Sequence, residues 1–139
     1  MAERKLRCEI ITPEKIVYSG DVDMVIAPGI EGELGILPLH IPLVTVLKVG
    51  ELRLKIENKQ EYMAVGGGYM EVKEDKVIVL ADTAESAELI DVERARKAKE
   101  RAENFLAQLT RERHLEFTKA QGDLERALNR LRVAARPRI

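Results

Sequence analysis

The stretch Ile90-Asp91-Val92-Glu93-Arg94-Ala95 lies where this 139-residue chain changes its hydrophobic period. Before it, apolar and polar residues alternate, as in Leu6-Arg7-Cys8-Glu9-Ile10 and Leu52-Arg53-Leu54-Lys55-Ile56, which is the period of a half-buried strand. After it, apolar residues recur every three or four positions, which is the period of an amphipathic helix. The change predicts a strand module over residues 1–84 and a helical module over residues 85–139.

The strand module has the pattern of an antiparallel sandwich or barrel. Turn-forming residues such as Gly20, Gly50 and Glu74-Asp75 interrupt short apolar runs at close intervals. Many short strands with this spacing are typical of all-β folds. The predicted strands are Leu6–Ile10, Val22–Ala27, Leu43–Val49, Leu52–Glu57, Tyr62–Val65, Tyr69–Lys73 and Lys76–Ala81.

Two segments depart from simple alternation. Gly32–Leu43 is apolar but contains two glycines and two prolines, and proline cannot donate to a strand ladder, so the chain must leave the sheet around Pro38–Pro42. That loop is either a docking surface with exposed Leu39 and Ile41 or a buried crossover between layers. Gly66-Gly67-Gly68 favours a strained turn or a close backbone approach. A phosphate cradle is less favoured, because no Walker-type Lys-Ser/Thr follows.

The residue types of a catalytic site are present but do not form a set. His40 and His114 are the only histidines and lie far apart, and neither has metal-ligand spacing or a nucleophile partner. His40 is therefore interpreted as a structural or interface residue. Cys8 is the only cysteine, which excludes an internal disulfide and fits a reducing cytoplasm. No catalytic residue is predicted.

Composition narrows the class of partner. The net charge is −1 although 34% of residues are charged, which argues against nucleic-acid binding. Residues 1–84 carry 10 Lys/Arg and 14 Asp/Glu, a net of −4, whereas residues 85–139 carry 13 and 10, a net of +3. The helical module therefore suits an acidic protein surface or a phosphate ligand. No apolar run of about eighteen residues and no apolar signal core is found, so we expect no membrane span and no signal peptide.

The sequence of the helical module is compatible with two shapes, a closed hairpin and an extended rod. Asp91 is placed to cap the first helix, and a turn within Gln108–His114, with Thr110 as a second cap, would make an antiparallel two-helix hairpin. Without that turn, residues 92–135 would form one rod of about 65 Å. The first helix has a narrow, alanine-rich apolar stripe that buries little surface. The closed and extended forms are thus expected to differ by a few kcal/mol, which makes the module a candidate switch.

Arginine spacing gives this switch a candidate ligand. Arg94 and Arg101 are seven residues apart, and Arg126 and Arg130 are four apart, so each pair shares a helix face. If the pairs converge in a closed hairpin, they require an anion between them, and phosphates would suit. Asp91 or Glu85 would then be available to a ribose or a base amino group. The alternative is that these arginines are solvated and neutralised by neighbouring carboxylates.

The chain resembles the epsilon subunit of bacterial F-type ATP synthase over essentially its whole length. The resemblance is carried by three segments: Glu31-Gly32-Glu33-Leu34-Gly35-Ile36-Leu37-Pro38-Leu39-His40-Ile41-Pro42-Leu43, Gly66-Gly67-Gly68-Tyr69-Met70-Glu71-Val72 and Val79-Leu80-Ala81-Asp82-Thr83-Ala84. The chain departs from the family at Leu39, where the family usually has glycine or asparagine before the histidine.

The resemblance implies a fold and a set of partners. The fold would be an all-β sandwich of about ten antiparallel strands followed by a C-terminal two-helix hairpin. The protein would be a non-catalytic subunit of the central stalk, peripheral at the cytoplasmic face of the bacterial plasma membrane. It would bind the gamma subunit and the c-subunit ring, with Glu31 and the segment His40, Ile41 and Pro42 as contacts. In its extended state the helical module would reach the alpha/beta catalytic head and inhibit ATP hydrolysis.

The resemblance also implies a nucleotide site. Several bacterial members bind ATP in the closed hairpin through an Ile/Leu-Asp-x-x-Arg-Ala motif, which stands here at residues 90–95. No cofactor would be required, and ATP would be a regulatory ligand. The positions that match such a site are Glu85, Ile90, Asp91, Arg94, Ala95, Arg101, Arg126 and Arg130. The alternatives are the same stalk subunit with a purely structural hairpin, or a stand-alone sandwich enzyme or small-molecule binder.

Overall fold

The computed structural model describes residues 4–109 and 114–136. These residues form the strands β1 (Leu6–Ile11), β2 (Ile16–Val22), β3 (Met24–Gly29), β4 (Gly32–Ile36), β5 (Leu43–Ile56), β6 (Lys59–Lys73), β7 (Lys76–Ala81) and β8 (Ala84–Ser86). A short 3-10 helix at Ala87–Leu89 precedes the helices α1 (Val92–Gln108) and α2 (His114–Ala134). The break between the helices falls in the predicted segment, but Thr110 lies outside the described residues.

The eight strands form one continuous hydrogen-bonded sheet. Its order is β2-β1-β7-β6-β5-β3-β4, with β8 paired to β6. Leu6 and Ile10 of β1 belong to the same buried cluster as Leu52 and Leu54 of β5, although β7 and β6 lie between these strands in the sheet. The two halves of the sheet must therefore face each other across a common apolar core. The predicted β-sandwich is confirmed.

The strand count differs from the expectation of about ten because two strands are long. β5 and β6 have 14 and 15 residues and pair with each other along almost their whole length. Each continues through a position where a break was predicted: Gly50 in β5 and Gly66-Gly67-Gly68 in β6. The described residues thus form eight strands. Interpreting Gly20 and Gly50 as turn residues is wrong, because Gly20 lies within β2 and Gly50 within β5.

Close approach of neighbouring atoms explains two of the three glycines in β6, Gly66 and Gly68. A Cβ on Gly68 would lie 2.2 Å from the carbonyl oxygen of Leu80, and a Cβ on Gly66 would lie 2.1 Å from Oγ1 of Thr83. Gly68 also has a φ of +142°, which side-chain-bearing residues rarely adopt. Of the two predicted possibilities, close approach rather than a turn is the one that forms.

Three smaller features differ from the sequence prediction. β1 pairs with β7 in parallel, whereas the other pairs are antiparallel. The single strand predicted over Val22–Ala27 is split at Asp23, whose carboxylate accepts a hydrogen bond from the backbone N–H of Glu57. β8 extends the sheet to Ser86, beyond the predicted module boundary at residue 84. Its pairing with β6 ties the start of the helical module to the sandwich.

The two helices lie against each other and α2 also packs on the sheet. Small side chains line the helix interface, with Ala95 and Ala102 of α1 and Ala120 and Ala127 of α2 buried. Val133 of α2 is fully buried in a second cluster that includes residues of β6 and the segment before α1. The predicted hairpin is confirmed. Neither described helix is long and apolar enough to cross a bilayer.

Candidate functional site

A cavity of about 560 Å³ lies between the two helices. It is within the size range of ligand pockets, about 300–1,000 Å³. Its cationic residues come from both helices: Arg101 from α1, and Lys119, Arg126 and Arg130 from α2. Asp123 and Glu116 supply two carboxylates, and Ala102 with Phe105 an apolar wall. The hairpin therefore brings together three of the four predicted arginines around one cavity.

A second cavity of about 530 Å³ lies between the helices and the sandwich. Glu85, Asp91, Arg94 and Ala95 line it, together with residues 12–15 and 82–84 of the sandwich. Arg130 lines both cavities, so the two spaces adjoin at this side chain. Arg94 faces the second cavity rather than the first, which separates it from Arg101. The four predicted arginines therefore do not all meet in one site. Arg101 and Arg126 line the first cavity, Arg94 lines the second, and Arg130 lines both.

The seam motif holds the start of α1 in place. Oδ1 of Asp91 accepts a hydrogen bond from the backbone N–H of Arg94 at 3.0 Å, which confirms Asp91 as the N-cap. Ile90 is buried, 8% exposed, in the cluster with Ala64 and Val133. Ile90 is therefore an anchor for the helix start, and it lines neither of the two cavities.

Carboxylates of the chain itself already neutralise two of the arginines. Nε of Arg130 donates to Oε1 of Glu85 at 2.5 Å, and Arg126 donates to Asp123 one helical turn earlier. Each of these side chains keeps about a third or more of its surface exposed, so such pairs contribute little to stability. A phosphate group would have to replace these carboxylates at the guanidinium groups.

Several residues at the cavities were missed by sequence reasoning. Gly122 lies against Arg126: a Cβ there would be 3.3 Å from its Nη1, so the missing side chain leaves room for the guanidinium. A glycine inside a helical pattern was the available signal. Lys119 shares the face of Arg126, seven residues before it. Residues 12–15 reach the second cavity through the fold of the sheet, and no local pattern indicates this.

The predicted contact residues outside the hairpin lie on exposed loops of the sandwich. Glu31 is exposed in the β3–β4 turn, and Ile41 and Pro42 are exposed in the loop before β5. His40 is half-buried, with Nδ1 2.7 Å from the carbonyl oxygen of Ile41. Leu39 and Ile41 are 71% and 74% exposed. Of the two predictions for this segment, the exposed loop is confirmed and the buried crossover is wrong.

The backbone of this loop is in an unusual conformation for its sequence. The N–H of His40 donates to the carbonyl oxygen of Leu37 at 3.2 Å, and Leu39 has a φ of +69°. Pro38 and Leu39 are therefore the central residues of a tight turn whose second central residue is left-handed, as in a type II turn. For a side-chain-bearing residue this conformation costs about 1–2 kcal/mol. Glycine or asparagine is the usual residue there.

The outer face of the sheet carries an apolar surface that sequence reasoning did not single out. Val46, Tyr69 and Leu80 are direct neighbours across β5, β6 and β7, and they are 40%, 58% and 52% exposed. Val44 is on the same strand face as Val46 and is also exposed. We call these four residues the outer patch. The signal was available, because Leu43–Val49 is apolar on both strand faces.

The described residues offer no separate reactive centre. No cluster of three or more His, Cys, Asp or Glu side chains among them has the arrangement of a metal site. Cys8 is buried, and burial raises the pKa of its thiol to about 12, so it stays protonated and unreactive near neutral pH. What the cavities can do chemically is to bind an anion.

Comparison with known proteins assigns both modules to one family. Residues 5–87 match the model of the ATP synthase delta/epsilon chain β-sandwich domain, and residues 88–135 match that of its long α-helix domain. The chain is 56% identical over 134 residues to the ATP synthase epsilon chain of Syntrophobacter fumaroxidans, covering 96% of this chain and 98% of the relative. It is 52% identical over 128 residues to that of Desulforamulus reducens, covering 92% and 96%.

Solved structures share the fold at low sequence identity. A chain in the cryo-EM structure of the Euglena gracilis mitochondrial ATP synthase, containing OSCP, F1 and the c-ring, superposes with a TM-score of 0.74 at 22% identity, covering 87% of this chain and 76% of that one. A chain in the central stalk and c-ring structure of the Tetrahymena thermophila enzyme gives a TM-score of 0.60 at 14% identity, covering 97% and 100%. With both modules and nearly the full length matched, the chain belongs to the ATP synthase delta/epsilon family as an epsilon-type, non-catalytic subunit.

Proposed function

We propose that the helical hairpin is a latch that ATP holds closed, and that the open hairpin inhibits ATP hydrolysis by the synthase. The observation that carries this proposal is the position of Arg130, which lines both the cavity between the helices and the cavity against the sandwich. A ligand that contacts Arg130 and both spaces touches α1, α2 and the sheet together. Separation of the helices would divide its binding site, so the ligand favours the closed form.

Residue chemistry supports ATP as this ligand. The cavity between the helices offers Arg101, Arg126 and Lys119 to phosphate groups, and planar guanidinium groups bind phosphate oxygens in a bidentate manner. The adjoining cavity offers Glu85 and Asp91, whose carboxylates can accept hydrogen bonds from ribose hydroxyls or a base amino group. A polyanion with a polar, uncharged end is the class of ligand that could bind in both cavities, with its phosphates at the cationic residues and its polar end at the carboxylates.

A modest affinity would suffice for such a latch. A ligand that binds only the closed form stabilises it by about 1.4 kcal/mol at a concentration about tenfold above its dissociation constant. The buried helix interface consists largely of alanines, so the closed hairpin is held by little apolar area. We therefore expect ATP to shift the equilibrium between closed and open forms about tenfold under these conditions.

The sandwich is proposed to be the part that joins the rotor. The outer patch is a contiguous apolar area on the sheet, of the kind that marks protein interfaces, and it suits the gamma subunit. Glu31 and the loop of His40, Ile41 and Pro42 suit the c-subunit ring. The extended helices, net +3 over residues 85–139, suit an acidic surface of the alpha/beta head. The protein would then be peripheral at the cytoplasmic face of the bacterial plasma membrane.

Calorimetry with ATP on the full chain tests the latch. We expect binding heat with the parent chain and at least about tenfold weaker binding for Arg126→Ala, because a charge-assisted contact is removed. Arg132→Ala is the matched control, since Arg132 is an exposed arginine of the same helix that lines neither of the two cavities. Absence of heat at millimolar ATP, or equal affinity for both variants, excludes the proposed site.

A specific observation favours a second candidate, a structural hairpin without a ligand. Arg130 and Arg126 are already paired with Glu85 and Asp123, so the hairpin closes without a phosphate between the arginines. Under this candidate the hairpin is purely structural, and ATP would change neither the population of the closed form nor the protection of the hairpin in hydrogen exchange. Removal of residues 91–139 should raise hydrolysis under the latch and leave it unchanged if the hairpin is purely structural.

A further inference from the structure

We propose that Asp75 is the positioning residue of the exposed loop at Leu37–Pro42, and that it holds Leu39 in the left-handed conformation that sets the direction of this loop. This inference rests on the proposed docking role of the loop, because the shape that Asp75 fixes matters for function only if the loop docks. Asp75 lies in the β6–β7 turn, 36 residues from Leu39 in sequence.

A direct hydrogen bond links Asp75 to the strained residue, Leu39. Oδ1 of Asp75 accepts a hydrogen bond from the backbone N–H of Leu39 at 2.7 Å. Its other carboxylate oxygen is paired with the guanidinium of Arg4, and its backbone carbonyl accepts from the N–H of Arg7 at 2.9 Å. Arg4 therefore anchors the carboxylate and Arg7 of β1 anchors the backbone of Asp75, while the other carboxylate oxygen binds the loop.

The electrostatics agree with this geometry. The hydrogen bond from the Leu39 N–H, followed by the one from Arg4, lowers the pKa of the Asp75 carboxyl below its ordinary value. The charged carboxylate is thus the form that binds Leu39, and a charged acceptor makes a stronger hydrogen bond than a neutral one.

The hydrogen bond from Leu39 to Asp75 explains how a leucine is accommodated at the left-handed position of the turn. At the left-handed position of a turn the chain would ordinarily use glycine or asparagine, whereas here a leucine has a φ of +69°. The benefit is an exposed apolar side chain at the turn, next to the exposed Ile41. A fixed loop presents both side chains without an ordering cost at binding. Asp75 would thus supply a contact that offsets the conformational cost of the left-handed leucine.

The test uses the full chain with Asp75→Gly, because glycine removes the carboxylate yet tolerates the φ of +58° at this residue. Glu74→Gly is the matched control: Glu74 lies in the same turn with a φ of +52° and also carries one negative charge. We expect amide exchange at Leu39 to be at least about tenfold faster in Asp75→Gly and unchanged in Glu74→Gly. Leu39 exchange that is unchanged in Asp75→Gly overturns the proposal.

A second readout connects the hold to docking. We expect the Asp75→Gly chain, assembled with gamma, to bind purified c-subunit rings several-fold more weakly, as expected when a loop must be ordered on binding. Asp75→Asn, which keeps an acceptor for the Leu39 N–H, should recover part of the affinity. Ile41→Ala reports separately on the docking role of the loop.

The outcomes separate the inference from the function on which it rests. If Ile41→Ala weakens ring binding but Asp75→Gly does not, Asp75 is not a positioning residue for docking and the inference is overturned. If neither variant weakens ring binding, the proposed docking role of the loop fails, and the inference fails with it.

Discussion

At the scale of single residues, buried polar groups fix how the modules meet. Asn129 of α2 is only 3% exposed, and its Nδ2 donates to the carbonyl oxygens of Gly50 at 2.9 Å and Val65 at 3.5 Å. Both acceptors belong to the sheet, so Asn129 sets the position of α2 over the long strands β5 and β6. A buried amide without partners would be unfavourable, which makes this contact specific to one docked arrangement.

Asn129→Ala should therefore weaken the docking of α2. We expect a loss of about 1–2 kcal/mol in the free energy of unfolding, because hydrogen bonds to two carbonyl groups of the sheet, one of them buried, are removed. Denaturant titration of the full chain measures this loss. Gln121→Ala is the control, since Gln121 is an exposed amide residue of the same helix. A loss no larger than that of the control would show that Asn129 does not fix α2.

Cys8 leads to a prediction for alkaline pH. Its pKa is raised by burial from 9.0 to about 12, so between these values the folded chain holds a proton that the unfolded chain releases. The free energy of unfolding must then fall as pH rises through this window, by at most about 1.4 kcal/mol per pH unit from this group. Denaturant titrations at pH 8 and pH 11 should show a smaller decrease for Cys8→Ala than for the parent chain. Equal decreases would contradict a buried, protonated thiol.

Features of single residues that depend on local sequence could be predicted, whereas those that depend on distant contacts could not. The seam, the capping role of Asp91 and the shared faces of the arginines follow from local periods and were visible in the sequence. The division of Arg94 and Arg101 between two cavities was not visible, because it depends on the rotation of α1 against α2 and the sheet. The left-handed Leu39 was not visible either, because local propensity argues against it and the stabilising carboxylate of Asp75 is distant in sequence.

At the scale of elements, the strands and the helices differ in how much apolar surface they bury. The sandwich encloses one large apolar core, with Leu, Ile, Val and Met side chains from seven strands. The helix interface instead buries mainly small residues, Ala95, Ala102, Ala120 and Ala127. Because buried apolar area determines most of the stabilisation, separating the helices from each other should cost much less free energy than opening the sandwich.

Ala102→Leu tests this interface at its centre. Ala102 is 5% exposed between the helices and borders the cavity that they enclose, so a leucine there adds bulk to the interface and should destabilise the closed hairpin by about 1–3 kcal/mol. Ala107→Leu is the matched control, because Ala107 is exposed on the same helix. The distance between labels on the two helices should increase in Ala102→Leu alone. An unchanged distance together with unchanged stability would mean that the helices are not closely packed at Ala102.

At the scale of the whole molecule, α2 is the helix that contacts both α1 and the sheet. It contacts α1 through the alanines and the sheet through Asn129 and Val133. Two residues beyond its C-terminal end, the guanidinium of Arg136 binds both carboxylate oxygens of Glu51 in β5 at 2.6 and 2.9 Å. Arg130, in the same helix, lines both cavities. If the hairpin opens as proposed, a ligand at Arg130 would act on the helix that has to be released.

Amide exchange of α2 in the full chain, measured with and without ATP, is the most direct test of the latch. If ATP binds only the closed form, exchange at residues 129–133 should slow about tenfold at a concentration about tenfold above its dissociation constant. Arg130→Ala should abolish this slowing, while Arg132→Ala should keep it. Exchange rates in α2 that stay the same in the absence of ATP and at saturating ATP would contradict the latch.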